Sequence, residues 1–321
     1  MSRLTAYMRS RLGVRHHPAS DWGGGQETAT GPRPPAGGMH GGKHAYGTVG
    51  HICKGTQILL MERYRELHRG GGPLPAFADV EFRNYSQNGE DGILLYILSL
   101  IGMTTRKCVE ICAGDGVECN SANLILNHGY NALLVDGDDR NIAIANEFYS
   151  RHRETFGFVP KAVKHWIERE TIDRFLHDQG MAGEIDVLTV DIDGNDYWIW
   201  NAIECSSPRV VVVEYENAWG PDDSVTMRYE SDFVWRISEP GMPHGGASLA
   251  AFVGLGRRKG YRLVGSQMRC FNAFFVRDDI GRDCLPEVSV ESCLTHDMAT
   301  WRRELRLSRP ESPLLERFVQ V

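Results

Sequence analysis

Carboxylates that close successive apolar runs give this chain its most readable chemistry. Lys107-Cys-Val-Glu-Ile-Cys-Ala-Gly-Asp-Gly116 reads as a short buried strand that runs into a glycine turn with an acid inside it. Ala132-Leu-Leu-Val-Asp136 and Ile185-Asp-Val-Leu-Thr-Val-Asp191 are apolar runs that also end on an acid. Glycine allows close backbone approach and positive φ without a Cβ penalty. A carboxylate at the next strand tip can accept both hydrogen bonds of a ribose diol. Together these features point to a nucleoside-containing cofactor at the carboxyl edge of a parallel sheet.

A second acidic group follows. Asp191-Ile-Asp-Gly-Asn-Asp196 carries three acids, and the next apolar run ends on Glu214 with Asn217 just beyond. Acids at a helix start complement its dipole, which is the plain reading. Oxygen ligands from two adjacent strand tips would also suit Mg²⁺ or another hard divalent ion, with Asp191, Glu214 and Asn217 as the ligands.

Positioning these groups requires alternating strands and helices. Strands are expected at 108–112, 132–135, 162–164, 185–191 and 209–214. Helices are expected at 120–127, 140–152, 171–178 and 197–203 between and after them. Continuous Val/Leu/Ile runs fit strands covered on both faces, and the alternation implies a doubly wound α/β fold. A helix over 247–259 then leads to strands at 261–265 and 272–277. The last two lie too close for a helical crossover and must pair antiparallel. The expected class is a mostly parallel, Rossmann-like sheet whose last strand is antiparallel. Gln57 to His68 has helical spacing and forms an accessory helix. Ser86 caps a further helix starting near Gly92.

The 321 residues divide into a Gly-, His- and Pro-rich extension over 1–52, a main domain over 53–283, and a segment over 284–321. The extension lacks the apolar content needed to offset the entropy of ordering, so its five histidines belong to a mobile tail. The C-terminal segment reads as a helical extension or an oligomer contact, consistent with a homodimer. No apolar run reaches the roughly 20 residues of a membrane span. A net charge of −7 argues against a nucleic-acid partner, because phosphate binding calls for a basic surface. Eight cysteines without a Cys-x-x-Cys pair indicate a reducing, cytoplasmic compartment with neither a disulfide framework nor structural zinc.

Ser86-Gln-Asn-Gly-Glu-Asp91, Glu110-Ile-Cys-Ala-Gly-Asp-Gly116, Asp186-Val-Leu-Thr-Val-Asp-Ile-Asp-Gly194 and Asn272-Ala-Phe-Phe-Val-Arg277 together resemble the FkbM-type class I methyltransferases. The resemblance covers about residues 80 to 280. It implies S-adenosylmethionine (SAM) as cofactor and a hydroxyl of a sugar or other natural product as acceptor. Glu110, Ala113, Gly114, Asp115 and Gly116 would form the first cofactor loop. Asp136 would take the ribose, with Gly137 and Asp138 near the adenine and Asp191 facing the methionine end. Gln87 and Asn88 would close over the cofactor. The turn Ala-Gly-Asp-Gly departs from the family's Gly-Ala-Asn-x-Gly at Asp115.

Methyl transfer requires alignment of a deprotonated nucleophile with the methyl group. A base near neutral pKa helps a hydroxyl acceptor, which singles out His244, His165 and Asp193. Each of the two histidines is more commonly a structural or surface residue. A divalent ion at the acidic group would acidify and orient the hydroxyl. Residues 235–246 are expected to form an acceptor lid, Trp219 a wall of the acceptor site, and Arg228 and Arg236 a grip for an anionic acceptor. N-methylation and a non-catalytic SAM-binding scaffold are the alternatives. A nicotinamide enzyme would need Gly-x-Gly-x-x-Gly, and position 119 is Cys.

Overall fold

Branched apolar side chains pack well on a pleated surface, and a sheet covered on both faces needs no polar side. The strands of this chain follow that rule. The computed structural model describes residues 51–236 and 238–321. Apart from His51 and Ile52, the extension expected over 1–52 lies outside the described residues.

The chain opens with α1 (Lys54–Arg69), the short α2 (Phe77–Val80) and α3 (Glu90–Ile101). β1 (Lys107–Ile111), α4 (Ala122–His128), β2 (Asn131–Asp136), α5 (Asp139–Arg151) and β3 (Lys161–Lys164) follow. Next come α6 (Ile172–Asp178), β4 (Gly183–Val190), α7 (Asp196–Ala202), β5 (Ser206–Glu214) and β6 (Val225–Met227). α8 (Leu249–Lys259), β7 (Tyr261–Ser266), β8 (Asn272–Arg277), α9 (Asp297–Leu307) and β9 (Phe318–Gln320) complete it.

The main sheet has seven strands in the order β3-β2-β1-β4-β5-β8-β7. The first five are parallel, and β8 runs antiparallel to both β5 and β7. This is a doubly wound, Rossmann-like α/β fold, as the alternation predicts. The antiparallel strand does not sit at the edge. It is inserted between β5 and β7.

Two apolar layers sandwich the sheet. Cys108, Ala132, Leu134, Val187, Val210, Val212 and Phe274 meet α1, α3 and α4 on one face. Val109, Leu133, Leu188, Val211 and Phe275 meet α6, α7 and α8 on the other. Side chains alternate along each strand, so knowing these neighbours fixes the face of every strand-end residue.

Most predicted boundaries lie within two residues of the observed ones, and β5 starts three residues earlier than expected. Two features were not read from sequence. One is α2. The other is a second, two-stranded sheet in which β6 pairs antiparallel with β9. The segment 284–321 therefore carries a strand as well as a helix. Both return to the loops beyond β5. Among the described residues no helix is long and apolar enough to cross a membrane.

Candidate functional site

Strand parity assembles the site. Glu110 shares a face with Cys108, Asp136 with Leu134, Thr189 with Val187, Glu214 with Val212, and Asn272 with Phe274. Asp191 continues the same alternation one step beyond β4. Five adjacent strands, from β2 across to β8, thus carry a polar row on the α3 face at the carboxyl edge. Thr189 Oγ1 and Asn272 Oδ1 are buried there without a hydrogen-bond partner. Buried polar atoms are nearly always paired, so these two leave the row with unused hydrogen-bonding capacity.

Glu90, buried at the start of α3, links the N-terminal motif to this row. Its carboxylate accepts from the Asn88 and Gly89 N–H groups at 2.9 and 2.8 Å and from Asn272 Nδ2 at 2.8 Å. Its neighbour Asp91 accepts the N–H groups of Asn84, Tyr85 and Ser86, while Ser86 Oγ accepts from Asp91 N. The Ser-Gln-Asn-Gly-Glu-Asp stretch is therefore a self-bonded cap fastened to β8. Gln87 stands exposed on it, and Asn88 is half-buried.

The glycine turn between β1 and α4 is tied down by two carboxylates. Glu110 accepts the N–H groups of Asn120 and Ser121 at 2.8 and 2.6 Å. It caps α4 from below, and burial pushes its carboxyl pKa up. Its two oxygens serve the helix start, so a contact between Glu110 and a cofactor would be additional to this capping role. Asp136 accepts from Gly114 N at 3.0 Å, Asp138 N at 2.8 Å and Asn141 Nδ2 at 3.0 Å. It stands at the predicted strand tip, and its carboxylate holds the turn that a ribose would approach. Asp115 accepts from Val117 N and closes the turn locally. Ala113 N donates to Val135 O across to β2. Gly116 has φ +69, and an added Cβ would come within 2.8 Å of Ala145 Cβ on α5. Asp138 is exposed and caps α5 through Arg140 N. The ring of Trp166 lies against Gly137, and its Nε1–H donates to Ser231 O at 2.8 Å.

Beyond β4 and β5 the carboxylates converge. Asp191, Asp193 and Glu214 each offer an oxygen within 4.8 Å of the others. Burial, the charges of Glu214, Asp193 and Asp196, and a hydrogen bond shared with Glu214 hold the Asp191 pKa far above the usual carboxylate range. Asp196 accepts Ile192 N and Gly194 N at 2.8 and 2.9 Å, and burial raises its pKa to about 8. It shapes the turn that presents Asp193 at φ +61. This oxygen set suits a hard divalent ion, with Asp193 where Asn217 was expected. Asn217 is corrected out of the set. Its Oδ1 accepts from Arg302 Nη1 at 2.8 Å and its Nδ2 donates to Cys270 O.

Neither histidine reaches the row. His244 is buried, and its Nε2 accepts from both Ser238 N and Glu239 N at 2.9 and 3.1 Å. Its Nδ1–H must then donate to Met242 O at 2.7 Å. With both nitrogens engaged by backbone, and its pKa lowered chiefly by burial, His244 organises a turn and is no proton acceptor. His165 stacks on Phe175 of α6 with centroids 4.0 Å apart, which places it on the opposite face of the sheet. Trp219, expected as a substrate wall, is buried beneath the Arg306 guanidinium and against Phe318. The loop over 233–246, which includes the stretch expected as a lid, packs on the β4 tip. Phe233 packs over Gly194, where a Cβ would meet its ring at 2.2 Å, and Gly246 N donates to Gly194 O.

Sequence reasoning missed Glu90, Thr189, Asn272 and Trp166 as parts of this edge. Counting every second residue back from each strand tip would have found Thr189 and Asn272. Glu90 belongs to a helix cap, and Trp166 is placed by a hydrogen bond across the lid, so neither leaves a periodic trace.

No family model matches the chain, and no curated protein does. Solved structures show remote likenesses. Magnesium protoporphyrin IX methyltransferase from Synechocystis PCC 6803, with bound SAM, is similar over 72% of this chain and 100% of its own, at 10% identity and a TM-score of 0.38. The glycopeptide N-methyltransferase MtfA with S-adenosyl-L-homocysteine is similar over 60% of this chain and 90% of its own, at 10% identity and a TM-score of 0.38. An O-methyltransferase from Bacillus cereus is similar over 48% of this chain and 65% of its own, at 13% identity and a TM-score of 0.30.

Proposed function

We propose that this chain is a cytoplasmic SAM-dependent methyltransferase that acts on a hydroxyl of a small sugar-bearing or otherwise hydroxylated metabolite. One observation carries the reading. A glycine turn, the strand-tip carboxylate Asp136 and an acidic row with two orphaned buried acceptors share one face of the carboxyl edge. Anionic and acceptor-rich surroundings favour a cationic guest with N–H donors, and SAM carries both a sulfonium and an ammonium group. NAD⁺ offers a pyrophosphate, which this row would repel.

SAM supplies an electrophilic methyl group on sulfur. The protein's own part is to hold and to move a proton. Asp136 Oδ2, which takes the Gly114 N–H, has acceptor capacity left that a ribose hydroxyl would use, and the indole of Trp166 offers a flat wall beside the same turn. Glu90 fixes the amide of Asn272 so that its free oxygen faces the row. With His244 held by backbone and His165 on the opposite face of the sheet, the Asp191, Asp193 and Glu214 group is the proton acceptor nearest the row. A carboxylate of this group would take the proton of the acceptor hydroxyl as the acceptor oxygen displaced the methyl group from sulfur. Asp191, Asp193 and Glu214 would hold Mg²⁺, which when bound acidifies and orients that hydroxyl. Among the described residues no imidazole base stands in the row, which favours, as a second reading, an amine acceptor that arrives already neutral.

Titration calorimetry with SAM and with NAD⁺ tests the cofactor, and release of S-adenosylhomocysteine from an acceptor panel, with and without chelator, tests the reaction. SAM should bind and NAD⁺ should not, and the reverse result overturns the reading. Loss of turnover in chelator favours the hydroxyl acceptor, and full turnover favours the amine. Asp136→Ala should weaken SAM binding by about a hundredfold, corresponding to the loss of roughly two charge-assisted hydrogen bonds. Unchanged SAM affinity in that variant would remove the ribose assignment.

A further inference from the structure

Away from the carboxyl edge, the C-terminal end of α1 meets the loop after β8. His68 Nε2 lies 3.4 Å from Asp283 Oδ2, and Cys284 Sγ lies within 4.8 Å of ligand atoms on both. We propose that His68, Asp283 and Cys284 form a binding site for a borderline transition-metal ion, Zn²⁺ in the first instance, which joins α1 to the sheet. This inference does not rest on the methyltransferase reading.

The donor set is the first argument. One imidazole, one carboxylate and one thiolate is a combination that zinc accepts and that hard ions such as Mg²⁺ do not select. The spacing is the second. Metal–ligand distances near 2.1 Å in a tetrahedron place imidazole nitrogen and carboxylate oxygen about 3.4 Å apart, which is the separation seen here. Three protein ligands leave the fourth position to water.

Preorganisation is the third argument. The buried Arg262 donates to the carbonyls of Arg277, Ile280 and Leu285 at 3.0, 2.6 and 2.9 Å. It therefore frames the loop that carries Asp283 and Cys284. The carbonyl of Gly281 receives Cys284 N and Leu285 N, which fixes this backbone, and the Cys284 S–H bond to the same carbonyl is given up when a metal takes the thiolate. On the other side, α1 is fixed by Tyr64, whose ring meets Tyr96 of α3 edge to face at 4.9 Å. Burial raises the Cys284 pKa, Asp283 raises it further, and the Arg262 charge opposes both. A thiolate and a carboxylate neutralise a divalent ion, so Arg262 would face no net charge across the site. His68 lies far in sequence from the adjacent Asp283 and Cys284, and a single cysteine has no partner spacing to announce the site, so the sequence-based expectation of no structural zinc had nothing to detect.

Cobalt(II) titrated into the full-length protein is the test, because its bond to a thiolate absorbs in the near ultraviolet and its tetrahedral complexes absorb in the visible. The expected result is that one equivalent gives both signatures and is displaced by Zn²⁺, whatever cobalt the carboxylates of Asp191, Asp193 and Glu214 take up without a thiolate band. Cys284→Ser should abolish the thiolate band, and His68→Ala and Asp283→Ala should weaken binding by at least about tenfold, the low end for losing even a supporting residue. His68 and Asp283 are exposed enough that their variants will fold whether or not Cys284→Ser does. Histidines outside the site cannot give the thiolate band. Absence of the band in the wild type overturns the proposal, as does a band that survives Cys284→Ser or is unchanged in both His68→Ala and Asp283→Ala. A simple His68–Asp283 ion pair predicts the first of these results.

Discussion

Glu110 and Asp136 end neighbouring strands on the same face, yet each is committed to different donors. Glu110 is turned under the start of α4, whereas Asp136 meets the glycine turn from above. Composition and spacing reveal that an acid is present at a strand tip. Which N–H groups it captures depends on the path of the following backbone, and no residue pattern shows that path. Asp196 illustrates the energetic consequence. Its carboxyl has a pKa of about 8 in the fold against an ordinary 3.8, because it is buried and lies near Glu214 and Asp193. The folded chain therefore keeps a proton that the unfolded chain releases, and stability falls as pH rises from about 4 to about 8. Asp91, raised to about 6 by burial, adds to the fall over the lower part of that window. Asp196→Asn removes one titrating group while keeping an acceptor for the turn. Its urea midpoint plotted against pH should be flatter than that of the wild type above pH 6, and parallel curves would show that Asp196 does not titrate there.

At the level of elements, α9 acts as a brace. Arg302 pairs with Glu216 at 2.6 Å and also donates to Asn217 Oδ1 and to the carbonyls of Gly241 and Met242. One side chain from the C-terminal helix thus holds the loop after β5 and the lid together. Both partners of the ion pair are largely buried, so removing the arginine leaves an unpaired charge inside. Arg302→Ala should destabilise the protein by about 3 kcal/mol, the lower bound for a broken buried pair, as read from denaturant unfolding. The strands of the main sheet were legible because runs such as Val210–Val213 and Asn272–Arg277 have few alternatives to a doubly covered strand. β6 and β9 were not, since strands of three residues joined across most of the C-terminal third leave no periodic signal. The roles expected of Asn217, Trp219 and His244 failed for a related reason. Arg302 and Arg306 come from a helix that sequence reading treated as separate, and the 238–239 backbone folds back on His244 within its own loop, where no residue pattern shows the turn.

In the molecule as a whole, the C-terminal segment of the described chain folds back onto the loops beyond β5. Val319 pairs with Thr226, Arg317 bonds Glu230 at 3.0 Å, and the same guanidinium lies 5.1 Å over the Phe233 ring. A chain ended at Ser308 loses all three contacts while the main sheet keeps every strand. Limited proteolysis should then cut within 228–246 much faster than in the full chain, with far-ultraviolet circular dichroism nearly unchanged. Equal cleavage rates would show that the lid is held without β9. The placement of β8 has a further consequence during synthesis. Because that strand is threaded between β5 and β7, the ribosome cannot deliver the sheet in the order of its assembly. Val210–Val213 emerge as an apolar border with unanswered N–H and C=O groups, and they remain so until the hairpin of β7 and β8 is complete. A nascent chain stalled between those points offers a ready template for pairing with another copy. Completion of the hairpin is the moment at which the growing protein ceases to be adhesive.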